Sequence, residues 1–357
     1  MIKNCMTKKL FFLGIVVVSM LFSCKGKKDV PNVSGIKINI ELNRFDQDFF
    51  AIDTNQVTAS MTKIIAKYPK FTPDFVYNIL GLDLNKLVIT GTAEQKALNT
   101  FIRDYKPIKD TADRLFGSFE KQADQIKSGL QFVKYYFPKY QLPKAIITFI
   151  GPIDANFQTS FGTQGDILTA EGLGIGLQLH MGSKFSAYTS REGQEIYPYY
   201  MSANFDPAHI PVNCMRNIID DLFPVKASGD PLIEQMVQSG KRLFLLIKFL
   251  PYTDENICLG YTEKQLKESY NHEALIWQFF MTNDLLNNSD QNIIKNYIGE
   301  SPHTAELGDG APGNLGAFTG LQIVKKFMNK FPETTLDDLM KMAPREVYRQ
   351  AKYKPKS

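Results

Sequence analysis

Histidine, cysteine and tryptophan are scarce in this chain: four histidines, four cysteines and one tryptophan in 357 residues. The scarcity narrows the chemistry. A zinc-protease helix needs His-Glu-x-x-His, because positions i and i+4 set two imidazoles on one face while the glutamate activates water. The nearest approach is "HEALI" at 272–276, where Ile276 stands in the second ligand position. The other histidines, His180, His209 and His303, are scattered, and no pair has ligand spacing. The sequence therefore predicts no metal site and no cofactor. Gly-x-Ser-x-Gly is missing too, and Cys214 lies in an apolar helix candidate that reads as core rather than as a nucleophile's setting. Acid pairs such as Asp220 with Asp221, and Glu306 with Asp309, read as solvated surface groups. No catalytic residue is predicted.

Excess charge is also missing. The chain carries 41 basic and 37 acidic residues. Lys3, Lys8 and Lys9 lie in the leader described below, and without them 38 bases face 37 acids. That near-neutral balance argues against nucleic acid as a partner, which requires a basic patch. No stretch after residue 23 is long and apolar enough to cross a bilayer. The best candidate, "RLFLLIKFLP" at 242–251, is interrupted by Lys248 and ends at Pro251, so it reads as a buried helix end. Internal repeats are absent, as is any low-complexity linker beyond residue 35.

A glycine-rich run is present, "GLGIGLQLHMGSK" at 172–184. It fails as a nucleotide loop. Gly172, Gly174 and Gly176 alternate inside a strand-like run, whereas the dinucleotide fingerprint opens a helix with its third glycine three residues after the second. Gly182-Ser183-Lys184 has the wrong order for a phosphate loop. Alternating glycines in a strand mark a close backbone approach or a bulge. A small-molecule pocket under 172–182 finds no polar constellation in the sequence to support it.

The amino terminus carries the strongest signal. Lys3, Lys8 and Lys9 precede an apolar run from Leu10 to Phe22, and Leu21-Phe22-Ser23-Cys24 follows as a bacterial lipobox. In that pathway Cys24 accepts a diacylglyceryl group, the chain is cut before it, and the new terminus is acylated. Each buried CH₂ contributes about 0.8 kcal/mol, and two or more acyl chains make a stable anchor. The expected organisation is a lipoprotein signal peptide at 1–23, a lipidated tether at 24–35, and one globular domain at 36–357. Cys5 leaves with the signal. An oxidising compartment would allow Cys214 and Cys258 to pair, and the alternative is two buried thiols.

The body reads as a helix-rich α+β domain, a small central sheet with helices around it. "IKINIELNRFDQDFF" (36–50) alternates as a strand and then turns helical. Helical spacing runs through 55–80 and 94–106. The stretch 110–138 predicts one long amphipathic helix, with Leu115, Phe119, Ala123, Ile126, Leu130 and Val133 stepping by three or four. "KAIITFIG" (144–151) predicts a buried strand, and Ile167–Ala170 and Leu173–His180 two short ones. Helices follow at 213–223, 230–250, 270–286 and 313–331.

Long stretches in a fixed order carry a family resemblance. They are the lipobox at Cys24, "RFDQDFF" (44–50), "FGTQGDILTAEGLGIGLQLHMGSKF" (161–185), "LIEQMVQSGKRLFLLIKFLP" (232–251), "NHEALIWQFF" (271–280), "APGNLGAFTGLQIVKKFMNKFPETTLDDLM" (311–340) and "AKYKPK" (351–356). The chain resembles the gliding-motility lipoprotein GldB family. The resemblance implies a lipid-anchored cell-envelope protein required for surface gliding, with protein partners in the motility and secretion machinery. The missing catalytic set adds a non-enzymatic reading, the lipobox a palmitate-type anchor, and Lys25, Lys27 and Lys28 in place of acids after Cys24 an outer-membrane position facing the periplasm.

A remoter likeness is to zincin-like predicted zinc peptidases. There the first of two helices carries His-Glu-x-x-His and a later one an acid before a glycine. Here Cys214-Met215-Arg216-Asn217-Ile218 and Ser239-Gly240 stand in those places, so the likeness implies a peptidase-like fold without its metal ligands. The alternative function is a divergent envelope metallopeptidase-like hydrolase.

Overall fold

The computed structural model describes residues 30–225, 229–308 and 310–355. Contacts divide the chain into two units, Met1–Gly35 and Ile36–Ser357. The described part of the first contains a turn in which the Ser34 amide donates to Asn32 Oδ1 at 3.0 Å. The helices and strands of the described residues all belong to the second unit.

That unit is helix-rich with a small mixed sheet. Strand β1 (Glu41–Asn43) leads directly into helix α1 (Phe45–Phe50). Helix α2 (Val57–Lys67) follows, then a helical turn at Phe71–Asp74 that widens into a π-turn at Phe75–Ile79. Two long helices, α3 (Ala93–Phe116) and α4 (Glu120–Tyr136), complete the crossover to strand β2 (Ala145–Phe149). A hairpin of β3 (Phe157–Thr159) and β4 (Gly162–Gln164) precedes β5 (Ile167–Leu168) and β6 (Leu173–Gly176). The main sheet runs β1-β2-β6-β5, with β1, β2 and β6 parallel and β5 antiparallel to β6.

β2 is buried throughout, as its continuous apolar run requires. Ala145, Ile147 and Phe149 enter one aromatic cluster with α1 and the π-turn. Phe45 and Phe49 meet Phe75 edge to face at 5.0 and 4.9 Å. The start of α1 is fixed by charge. Asp46 is fully buried, and Arg44 grips both its oxygens at 2.9 Å while Thr148 of β2 also donates to it.

Gly172, just before β6, and Gly176 at its end meet the expectation of close approach. A Cβ on Gly172 would lie 2.1 Å from the Ala145 carbonyl oxygen, and one on Gly176 2.4 Å from that of Gly165.

The second half packs helix on helix. Helix α5 (Ile210–Leu222) lies against α4, β5 and α6 (Leu232–Phe249). The pair α7 (Glu263–Asn271) and α8 (Glu273–Thr282) precedes the central helix α9 (Leu315–Lys330). Residues 315–324 of α9 are all buried, with α6 and α10 (Pro344–Ala351) packed on it. The α6–α9 crossing is closed by glycine on both sides. A Cβ on Gly240 would sit 2.2 Å from the Gly320 carbonyl carbon, and one on Gly320 only 1.7 Å from the Met236 oxygen. Lys241 is buried beside this seam, and its Nζ donates to the carbonyls of Met340 and Met342 at 3.0 and 2.8 Å.

Three expectations about elements change. The single helix over 110–138 is two. α3 runs through Pro107 to Phe116, and the chain then breaks at Gly117 (φ 51°) and Phe119 (φ 66°). Pro107 is exposed, so water can take the carbonyl its ring leaves unpaired. The break is set by tertiary contacts: Phe119 is fully buried, and Arg44 donates to the Gly117 carbonyl. The helix over 270–286 ends at Thr282 and is joined to α7 by the non-helical His272 (φ −110°, ψ 17°). The strand expected over Leu173–His180 stops at Gly176 and tightens into a 3₁₀ turn at Leu177–Leu179.

Candidate functional site

The densest polar arrangement lies where β5, β6 and the first half of α5 converge. Asp166 and His180 are each about 1 % exposed at the side chain, with His180 Nε2 2.8 Å from Asp166 Oδ2. Asp166 also accepts the Gly176 amide at 3.0 Å and Asn213 Nδ2 at 2.9 Å. The other imidazole nitrogen of His180, Nδ1, faces the Asp206 carbonyl at 3.2 Å. Both ring nitrogens therefore face acceptors. Burial disfavours the imidazolium, but the Asp166 carboxylate and the Asp206 carbonyl outweigh it and hold the His180 pKa above its ordinary value.

Asp206 caps the turn entering α5. Its Oδ1 accepts the Ala208 amide at 2.8 Å and lies 3.2 Å from His209 Nδ1. Although half-burial opposes its charge, these partners hold its carboxyl below the usual range. One turn further, Asn213 Oδ1 takes Arg216 Nη1 at 3.4 Å, Arg216 Nη2 reaches the Cys258 carbonyl at 3.2 Å, and the Phe161 ring lies 5.3 Å from the guanidinium. Above these residues opens a cleft of about 690 Å³, bounded by the β3–β4 hairpin and the chain at 199–206, 256–261 and 299–302.

The histidines that look scattered in sequence are therefore not all apart. His180 and His209 meet through Asp206, and no spacing rule joins residues 180 and 209. They do not form a ligand set: among the described residues, no group of three or more His, Cys, Asp or Glu is placed to hold a metal ion. His272, of "HEALI", is exposed at a helix junction with Nδ1 2.9 Å from the Glu268 carbonyl. Ile276 is buried, and Glu273 accepts the Tyr353 hydroxyl at 2.6 Å. Cys214 is fully buried and not bridged to Cys258. Burial pushes its thiol well above the ordinary value, the reverse of what activates a nucleophile.

The acid pair 220–221 is not simply solvated, as the sequence suggested. Asp220 accepts Arg242 Nη1 at 2.6 Å and the Ser160 amide at 2.9 Å, and Asp221 accepts the Tyr140 hydroxyl at 2.7 Å. Glu306 accepts the Tyr297 hydroxyl at 3.0 Å. Cys24 with the expected signal peptide at 1–23, and Asp309, lie outside the described residues. No helix among the described residues is long and apolar enough to cross a membrane.

Fold and site together define a helix-rich α+β protein whose polar centre is a buried His–Asp–Asn network beneath an open cleft. The family described as gliding motility protein GldB matches residues 26–355, nearly the whole chain, and the protein belongs to this family of gliding-motility lipoproteins. Membership associates it with the cell envelope and with motility. No curated protein and no solved structure was found to match the chain, so the comparisons supply no likeness to a peptidase.

Proposed function

We propose that the protein is a lipid-anchored, non-enzymatic component of the gliding apparatus, held in the outer membrane with its body facing the periplasm. The observation that carries this reading is the family match over 26–355. The lipobox ending at Cys24 supports the anchor, with Cys24 as the acylated residue and palmitate-type chains as its lipid. Burial raises the Cys214 thiol well above its ordinary value, so it is not set as a nucleophile. Nothing among the described residues favours the metallopeptidase alternative, and stoichiometric zinc in the purified protein would restore it. Lys25, Lys27 and Lys28 directly follow the anchor and favour anionic lipid by about 1 kcal/mol each close to the surface.

Metabolic labelling with a palmitate analogue tests the anchor. Wild-type protein takes up label, Cys24→Ala does not, and label retained in Cys24→Ala defeats the assignment. Protease added to intact cells spares the body and cuts it once the outer membrane is permeabilised. Crosslinking of the lipidated protein in the envelope, followed by pull-down, identifies its partners. Recovery of motility-machinery components is the expected result.

A further inference from the structure

Buried polar side-chain atoms in folded proteins almost always have partners, and the exceptions point to strain, water or a ligand. Among the described residues eight such atoms have none, and four belong to residues lining the cleft over α5: His209 Nε2, Gln164 Oε1, Arg216 Nε and Ser301 Oγ. His209 and Gln164 are 7 % and 3 % exposed.

Arg216 is the most telling of the four. Among the described residues no carboxylate lies within ion-pair distance of it, and its hydrogen-bond partners there are the neutral Asn213 and Cys258 oxygens. Arg216 is partly buried with its Nε shielded and unpartnered, and burial pulls its pKa down against the more distant charges of Glu300 and Asp220. Its position is nonetheless fixed. Phe161 packs on it, and Asn213, which takes its Nη1, is held in turn by Asp166. A second cavity of about 330 Å³ shares Arg216, Phe161 and Glu300 with the first, so the guanidinium stands where the two meet.

We propose that this cleft binds a small ligand bearing a carboxylate, with the guanidinium of Arg216 as the anion anchor and His209 and Gln164 accepting hydrogen bonds from the ligand's N–H or O–H groups. The carboxylate follows from the fork geometry. A planar carboxylate takes two guanidinium N–H groups at once, and the Nε edge is the one without an acceptor. The single negative charge follows from Asp206 and Glu300, which line the same cleft and repel a doubly charged phosphate more strongly than a carboxylate. The donors follow from His209. In the neutral tautomer with Nδ1–H on the Asp206 carboxylate, Nε2 is an acceptor. Gln164 Oε1 is an acceptor by nature. A sugar acid and the free C-terminus of a short peptide both offer a carboxylate beside such donors. The cleft lies within the size range of small-ligand sites. The proposal does not depend on the motility assignment.

Calorimetric titration of the full-length protein in detergent tests it. The probes are glucuronic acid, its methyl ester, N-acetyl-dialanine, N-acetyl-dialanine amide and inorganic phosphate. At least one free acid is expected to bind, its neutral ester or amide at least tenfold more weakly, and phosphate more weakly than the acid. Which acid binds identifies the source of the carboxylate. Arg216→Gln abolishes this binding, and Arg216→Lys, which keeps the charge and loses the fork, weakens it about tenfold. Should Arg216→Gln fail to fold, Arg216→Lys and the ester and amide controls decide. The proposal is overturned if neither acid binds, as when ordered water alone fills the cleft. Equal affinity for acid and neutral probe, phosphate binding tighter than both acids, or unchanged affinity in Arg216→Lys overturns it equally.

Discussion

Gly320→Ala is expected to be among the most destabilising single-methyl additions in this protein. The added Cβ would lie 1.7 Å from the Met236 carbonyl oxygen, where ordinary contact begins at 3.4 Å. The obstacle is helix backbone and cannot rotate away. Relief requires α6 and α9 to part by about 1.7 Å at the crossing, the difference between those two distances. A gap of about 1 Å already forfeits a quarter to a half of each atom pair's dispersion energy. Overpacking costs about 1–3 kcal/mol in ordinary cores, and this seam joins two almost wholly buried helix faces. Alanine returns about 1 kcal/mol through better helix propensity. The net expectation is a loss of roughly 3 kcal/mol. Gly129→Ala in α4 is the control. Its nearest neighbours are Met215 Sδ at 2.9 Å and Leu250 Cδ2 at 3.2 Å, both side-chain atoms able to shift. It should stay within about 1 kcal/mol of wild type, because the helix gain offsets a small rearrangement. Urea unfolding followed by circular dichroism gives both values at constant m. Equal midpoints for Gly320→Ala and Gly129→Ala would refute the claim that backbone contact closes this seam.

Arg44→Ala leaves the Asp46 carboxylate buried without its counter-ion and should cost about 3–5 kcal/mol, whereas Arg44→Leu combined with Asp46→Leu should cost less. A double variant less stable than Arg44→Ala in urea unfolding contradicts this. Trp277→Ala should cost roughly 3–5 kcal/mol, since the ring is buried against Tyr353 at 5.1 Å, while the exposed His272→Ala should cost little. Loss of motility in His272→Ala with an unchanged melting curve would argue for a role beyond packing. His180 contributes through its raised pKa. The stabilisation is complete below the unfolded value near 6.5 and is lost as pH rises through the higher folded value. Urea midpoints of wild type minus His180→Gln should therefore shrink from pH 6 upward, and a difference independent of pH would show that the imidazole does not titrate there.

Elements defined by their own apolar pattern were legible in the sequence. β2 announces itself by five buried residues between Pro143 and Gly151, and the alternating glycines from Gly172 to Gly176 imply the close approach that the Ala145 carbonyl makes to Gly172. The break at 117–119 was not legible. The stepping of Leu115, Phe119 and Ala123 fits a continuous helix, and the break depends on Arg44, more than 70 residues away. The polar centre was hidden for a similar reason. Asp166 and His180 lie in one stretch and Asp206 and Asn213 in another, with no spacing rule joining the two. Nothing in the sequence marks Arg216 as a site residue, because its setting depends on Phe161 of the hairpin, 55 residues earlier.

The parallel pairing of β1 with β2 also bears on how this chain reaches its structure. Arg44 and Thr148, which meet across that pairing, are 104 residues apart. Closing a loop of that length costs about 4 kcal/mol of chain entropy in its length-dependent part alone. No local turn can nucleate it, because the intervening segment must first condense into α1 to α4. The helix pairs can form early from near neighbours, while β1 waits for its partner. Refolding should therefore show a fast phase in helical signal and a slower one in which Arg44 reaches Asp46, Thr148 and the Gly117 carbonyl together. Until that last step, β2 presents an unpaired edge from Ala145 to Ile147, a segment open to misassociation during folding.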